Sequence, residues 1–266
     1  MHRQVVLEVC EDPVFVIGAP RSGTSVLAWS VAAHPDFWTS PETDFLYWLF
    51  ARGHLDEAMS KSIDRSDNGW LTRMELNRAD LIEALGVGIN GLISKASGGL
   101  RWVDQSPTYT LATNELARLF PGAMFLHILR DGRSVVNSMI KSGFSASWAS
   151  DFRLACRTWS TFVERAQSFA EVRPNRCLTI QYGALVADPE AQFAAVMEFL
   201  GAPQSPAPAN FLMGNRINSS YQPDGPPSGY VGPSDPWSSW SQKEQAIFME
   251  EAGDTMAKFG FDVVAV

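Results

Sequence analysis

The apolar run Val14-Phe-Val-Ile17 leads into Gly18-Ala-Pro-Arg-Ser-Gly-Thr-Ser25, and a helix-forming segment follows. A strand that ends in such a loop and re-enters a helix points backbone N–H groups outward at the positive end of the helix dipole, which is a place to hold an anion. Gly18 and Gly23 have the spacing of a Walker A loop, but Thr24 stands where that motif carries its lysine. That lysine reaches the β- and γ-phosphates, so its loss argues against a nucleoside triphosphate. Positive charge comes instead from Arg21, inside the loop, and hydroxyls from Ser22, Thr24 and Ser25. The loop is expected to take one 5′-phosphate and what hangs on it, without metal.

Further chemistry-bearing residues lie at other strand ends. Met124-Phe-Leu-His-Ile-Leu129 reads as a buried strand, and Arg130 stands at its carboxyl end. An arginine there offers a planar, charged fork to an anion. The competing reading of Arg130 is a surface ion pair with Asp131. Among proton acceptors, Glu42, Asp44, Asp104 and His34 are candidates. A helix-start glutamate behind Pro41 is the bland alternative for Glu42. His34-Pro35 after a helix reads as a stop, His127 as a core residue, and His2 and His54 have no supporting context.

The elements that must position these groups alternate strand and helix. Strands are expected at 14–18, 101–104, 124–129 and 177–181, with helices at 23–33, 80–93, 110–120, 133–141, 152–169 and 193–200. Asp80 with Glu83, and Ser241 with Glu244, have capping-box spacing; the first opens a helix with Leu81, Ala84, Leu85, Ile89 and Leu92 on one face, expected to be buried, and the second a C-terminal helix carrying Phe248, Ala252, Met256 and Phe259. The alternation implies an α/β protein with a P-loop-like parallel central sheet flanked by helices on both faces, whose ligands gather at the strands' carboxyl ends. Residues 1–266 are expected to form a single domain, with an acceptor-side helical insertion at about 43–100 and a lid-like loop at about 203–236, rich in Pro, Gly, Ser and Asn.

Pro20-Arg-Ser-Gly-Thr-Ser25 resembles the 5′-phosphosulfate loop of the sulfotransferase family. The segment Leu119 to Ser138 resembles the family's 3′-phosphate segment, in which an arginine at the strand end and a serine eight residues later grip that phosphate; Arg130 and Ser138 fill those places. Gln181-Tyr182 through Pro189 is similar to a further segment, which puts Tyr182 near the adenosine, with Gly183 where a glutamate is usual. Trp240-Ser241 and Phe259-Gly-Phe261 resemble the closing motif, so the resemblance runs almost end to end. Ala33 to Thr43 is similar to the segment of protein-tyrosine sulfotransferases that supplies a catalytic glutamate, which would make Glu42 the base. Asn218-Ser-Ser-Tyr-Gln222 resembles a stretch that gives a serine to the sulfuryl oxygens in that branch, implicating Ser219 or Ser220. One departure stands out. Many members have a lysine two residues before the proline that matches Pro107, and Gln105 occupies that place.

The resemblance implies 3′-phosphoadenosine 5′-phosphosulfate (PAPS) as donor, 3′,5′-adenosine bisphosphate (PAP) as product and no metal. In-line displacement at sulfur needs a base for the acceptor and positive groups for the departing phosphate, a role open to Arg21. A hydroxyl or amine of a small molecule, carbohydrate or lipid is the expected acceptor. A P-loop kinase or other NTPase, and a nucleotide-binding protein without turnover, are the alternatives.

Composition sets the outer bounds. With 45% hydrophobic and 19% charged residues, the chain can bury a large core. A net charge of -8 argues against a nucleic-acid surface, which needs a basic stripe. Cys10, Cys156 and Cys177 are far apart and suit neither a metal nor a disulfide framework. Residues 1–13 carry four charges, unlike a signal peptide, and no run of ~18 apolar residues is present. A cytoplasmic protein with no membrane span is expected; oligomeric state is not legible.

Overall fold

The computed structural model describes residues 8–51, 57, 60, 69–215 and 236–262. Strands β1 (Val14–Ile17), β2 (Phe37–Thr39), β3 (Arg101–Gln105), β4 (Met124–Leu129) and β5 (Cys177–Gln181) form one sheet in the order β2-β3-β1-β4-β5, every neighbouring pair parallel. β1 is the middle strand and all four of its residues are buried. Its side chains alternate between two apolar layers, which explains an unbroken apolar run at this position.

The helices are α1 (Thr24–Val31), α2 (Trp70–Arg73), α3 (Arg78–Ala96), α4 (Thr113–Leu119), α5 (Gly132–Ile140), α6 (Ser147–Ser150), α7 (Phe152–Val172), α8 (Tyr182–Ala187), α9 (Pro189–Leu200), α10 (Ala207–Gly214) and α11 (Gln242–Lys258). Val14 and Val16 pack with Leu27, Val31, Phe193, Val196 and Met197 of α1 and α9. Phe15 and Ile17 pack on the opposite face with Trp102, Tyr109, Leu116, Ala166 and Phe169. A third cluster, around Trp159, Val135, Met139, Phe248 and Met256, joins α5 and α7 to the C-terminal helix. Both faces of the sheet are therefore covered, as the alternation of elements predicted. Each large apolar side chain so buried contributes about 1.5–3 kcal/mol, and this area, more than any ion pair, holds the strand ends in place.

Four expectations need correction. The cap of α3 is Asn77 with Asp80, one turn ahead of the expected Asp80–Glu83 pair; Asn77 Oδ1 accepts from the Ala79 and Asp80 amides, and Asp80 Oδ2 accepts from the Asn77 amide. Leu92, expected on the buried face of that helix, is 65% exposed, because the face turned inward carries Gly86, Asn90 and Ser94. A Cβ on Gly86 would lie 2.0 Å from the Leu119 carbonyl oxygen, so the small residue is what permits this close packing. The expected helix 110–120 is split into a 3₁₀ turn (Pro107–Leu111) and α4, since Thr110 is turned toward the loop after β1. Finally, the start of the expected lid-like loop folds as α10, and residues 216–235 lie outside the described residues.

Candidate active site

All five strands deliver residues to one end of the sheet. The loop Gly18–Gly23 leaves β1 and enters α1 through Gly23, whose φ of 109° excludes a side chain without strain. Gly18 is equally restricted by space: a Cβ there would lie 2.7 Å from the Ile128 carbonyl oxygen. Thr110 braces the loop from below, accepting from the Gly18 amide at 2.8 Å and donating to the Gly18 carbonyl at 3.0 Å. Ser22 is buried and donates its hydroxyl to the Ala19 carbonyl, so it shapes the loop from inside, whereas Gly23, Thr24 and Ser25 line the cleft. The first amides of α1 have no intrahelical acceptor and no side chain caps them, which leaves the helix N-terminus able to serve an anion.

Arg21 sits at φ 69°, and its guanidinium donates from Nε to Ser138 Oγ at 3.2 Å and lies over the Phe144 ring at 5.4 Å. Burial and the neighbouring Arg130 work against its charge, and Glu42 supports it. Arg130 follows β4 and lies over the Tyr182 ring at 4.3 Å, while its Nη1 donates to the Arg21 carbonyl at 3.3 Å. Its backbone carbonyl accepts from Trp159 Nε1 at 3.1 Å. Asp131, the alternative partner of Arg130, is bound to Arg133 at 2.6 Å. The cation is thereby left facing the cleft beside Tyr182 and Ser138.

Opposite stand the carboxylates. Glu42 lies in irregular chain between β2 and the turn that begins at Phe45, so it is not part of a helical first turn. Partial removal from water, reinforced by Asp44 and Asp104, pushes its carboxyl up to about 7, while Arg21 and the polar side chain of Gln105 pull it down. The residue as a whole remains exposed, and water reaching it softens that push. Asp104 is pushed up to about 6 by burial, but it is committed: it accepts from the Tyr109 hydroxyl at 3.0 Å and from the Gln105 amide N–H at 2.8 Å. Asp44 accepts from the Thr108 hydroxyl and its amide donates to Ser106 Oγ. His34 is 2% exposed with both ring nitrogens engaged, one with the Pro203 carbonyl and one with the Asp36 amide. It is structural, as the His-Pro pattern suggested. His127 is fully buried and pushed down to about 4; its Nδ1 meets Thr179, but its Nε2 has no partner, so it is a core residue only half satisfied.

The cleft encloses about 440 Å³ and brings together Arg21, Thr24, Ser25, Glu42, Arg130, Ser138 and Tyr182. Its size fits a small-molecule site, typically ~300–1,000 Å³. Ser219, Ser220, His2 and His54 lie outside the described residues. Thr110, Pro107 and Thr108 were not marked by sequence, since a threonine bracing a glycine over long sequence separation leaves no local pattern. Phe144 and Trp148, in edge-to-face contact at 6.0 Å, form an aromatic wall. Trp237 and Trp240 are packed against Phe248 instead. Among the described residues, no helix is long and apolar enough to cross a membrane.

Comparison with known proteins places this geometry in context. A model described as "Sulfotransferase family" matches residues 13–206. The chain is 32% identical over 196 residues to protein-tyrosine sulfotransferase 2 of Gallus gallus, covering 71% of this chain and 50% of that protein. It thus spans about half the length of the curated relatives it matches. Its fold is similar to that of the sulfotransferase domain from the Synechococcus PCC 7002 olefin synthase, with TM-score 0.59 at 20% identity, covering 98% of this chain and 100% of that one. It is also similar to a mouse sulfotransferase complexed with PAP, with TM-score 0.52 at 12% identity over 96% of this chain and 90% of the other.

Proposed function

The chain belongs to the sulfotransferase family, and we propose that it catalyses transfer of a sulfuryl group from PAPS to a hydroxyl, with Glu42 as base and no metal. The observation that carries this reading is the meeting of Arg21, Arg130 and Ser138 with Glu42 in one cleft. The loop after β1 fits a 5′-phosphate: Gly23, Thr24 and Ser25 line the cleft at the head of α1, whose first amides no side chain caps, and Arg21 lies alongside. Arg130 and Ser138 would hold the 3′-phosphate, with Tyr182 toward the adenosine. Ser220 is the residue we assign to the sulfuryl oxygens on the strength of the sequence alone. When bound, the phosphosulfate supplies a sulfuryl group whose bond to the 5′-phosphate breaks as a bond to the acceptor oxygen forms. Glu42 takes the acceptor's proton, and Arg21 with the amides of α1 offsets the charge that gathers on the phosphate.

Sequence pointed to a small-molecule, carbohydrate or lipid acceptor; the relatives' names favour the tyrosyl hydroxyl of a polypeptide. A base near 7 also suits a phenol, with a pKa of ~10, better than an aliphatic hydroxyl nearer to water at ~15.7. We place acceptor entry on the side of residues 43–100, where Phe45 and Trp48 are exposed close to Glu42 in the chain. Transfer of ³⁵S from labelled PAPS to a tyrosyl peptide, a simple phenol, a sugar and a fatty alcohol tests the reaction and ranks the acceptors. Label in none of them, with PAP still bound, would leave a nucleotide-binding protein without turnover.

PAP is expected to raise the melting temperature without added magnesium. Ligand at a hundredfold excess over Kd adds ~2.7 kcal/mol to stability. A shift with Mg-ATP and none with PAP would instead return the kinase or NTPase alternative, against which Thr24 in the lysine place already argues.

The rate of transfer is expected to rise with pH through about 7. Only ionised Glu42 can accept a proton, and its carboxyl is held above the ordinary carboxylate range. A single-turnover pH profile checks this; an acidic limb near 6 would point to Asp104.

A further inference from the structure

Among the described residues, Arg21, Asp44 and Glu75 have positive φ without being glycine, and the first two line the cleft. Asp44 sits at φ 53°, a conformation that costs a residue with a side chain energy and persists where neighbours fix it. The hold comes from the chain just after β3. The Asp44 amide donates to Ser106 Oγ at 3.1 Å, and Asp44 Oδ1 accepts from the Thr108 hydroxyl. At the other end of the same segment, Thr39 Oγ1 donates to the Val103 carbonyl at 2.8 Å. Glu42 therefore lies between two pins, one on β3 and one on the 3₁₀ turn that follows it.

The same turn reaches the phosphate-binding loop through Thr110, which accepts from the Gly18 amide at 2.8 Å and donates to the Gly18 carbonyl at 3.0 Å. Between the two threonines, Tyr109 is fully buried. Its ring stands edge-on to Phe15 of β1 at 5.9 Å, and its hydroxyl donates to Asp104 of β3 at 3.0 Å. The turn is thus anchored to two adjacent strands, and the threonines on either side of its anchor hold two different loops.

We propose that the turn Pro107–Leu111 sets the separation between Glu42 and the phosphate-binding loop. Thr108 and Asp44 are positioning residues for Glu42, and Thr110 is the positioning residue for the loop. This rests on the reading of Glu42 as base. It divides the effects of two nearby threonines: the first governs the transfer step, the second the binding of nucleotide.

Thr108→Val keeps the shape and removes the hydroxyl. Its single-turnover transfer is expected to fall roughly tenfold to a hundredfold, the range for a hydrogen bond to a charged group, with PAP affinity nearly unchanged. Thr108→Ser, which restores the donor, should recover most of the rate. Thr110→Val should instead weaken PAP by roughly tenfold, and Thr110→Ser should restore it. In a Glu42→Gln background, Thr108→Val should cost nothing further, because Thr108 acts through Glu42. Normal transfer by Thr108→Val, a loss that Thr108→Ser does not recover, or an added loss in the Glu42→Gln background would overturn the proposal. So would unchanged PAP affinity in Thr110→Val. Glu42→Gln alone separates two failures: near-normal transfer there removes the base itself, whereas lost transfer there with normal transfer in Thr108→Val removes only the part given to the turn. Should Thr110→Val not fold, hydrogen exchange in the intact protein decides. The Gly18 and Asp44 amides should exchange far more slowly than in an unstructured peptide, and free-chain rates at either would refute the hold.

Discussion

Glu42→Gln is expected to lose ~10²–10⁴ in single-turnover transfer while PAP affinity barely changes. The amide keeps the shape and most hydrogen bonding of the carboxylate but cannot accept the proton. Nucleotide affinity should survive because Arg130, Ser138 and the loop after β1, which we assign to the phosphates, come from elements other than the segment that carries Glu42. Stability should be little altered as well. A glutamate in the first turn of a helix would contribute ~0.3–1 kcal/mol through the dipole, but Glu42 lies in irregular chain ahead of the turn at Phe45. Melting temperature, PAP affinity and transfer are to be measured on the same preparation. Near-normal transfer would remove Glu42 from the mechanism and bring Asp104 forward, since His34 has both ring nitrogens occupied.

Arg130→Ala should weaken PAP by roughly tenfold to a hundredfold and adenosine 5′-monophosphate far less. A charge-assisted hydrogen bond is worth ~1.5–3 kcal/mol, and only the ligand bearing a 3′-phosphate should feel that loss. Arg130 also lies over the Tyr182 ring, so some affinity for the adenosine shared by both ligands will go with it. The comparison cancels that common part. Arg130→Lys, which retains the charge and loses the planar fork, should fall between the two. Calorimetry in which both ligands weaken equally would mean that Arg130 does not read the 3′-phosphate.

Much of the fold was legible because its strands carry strong local patterns. β4 and β5 have the expected limits, and α11 opens on the expected Ser241–Glu244 box. β2 was missed: three residues between Pro35 and Pro41 are too few to display a period. The exposure of Leu92 was missed for another reason. Helical periodicity ranks faces by apolarity, and here tight approach at Gly86 centred the buried face on Gly86, Asn90 and Ser94, with Leu85, Ile89 and Ile93 packed beside them and Leu92 turned outward.

The site divides along the same line. The sequence by itself pointed to an anion-holding loop and to Arg130 at a strand end, because glycine spacing and strand ends are local properties, while Ser138 and Glu42 were singled out by resemblance to sulfotransferase segments. Only the tertiary structure decided what each group does to the others. It assigned Asp131 to Arg133, and it set Arg21 against Ser138 and Phe144. It turned Ser22 inward, closed both ring nitrogens of His34, and brought Thr110 under Gly18. It also set the buried Gln105 side chain against Ser25. Such contacts join residues tens of positions apart in the chain. Their distances follow from how five parallel strands stack their carboxyl ends, and no window along the sequence contains that information.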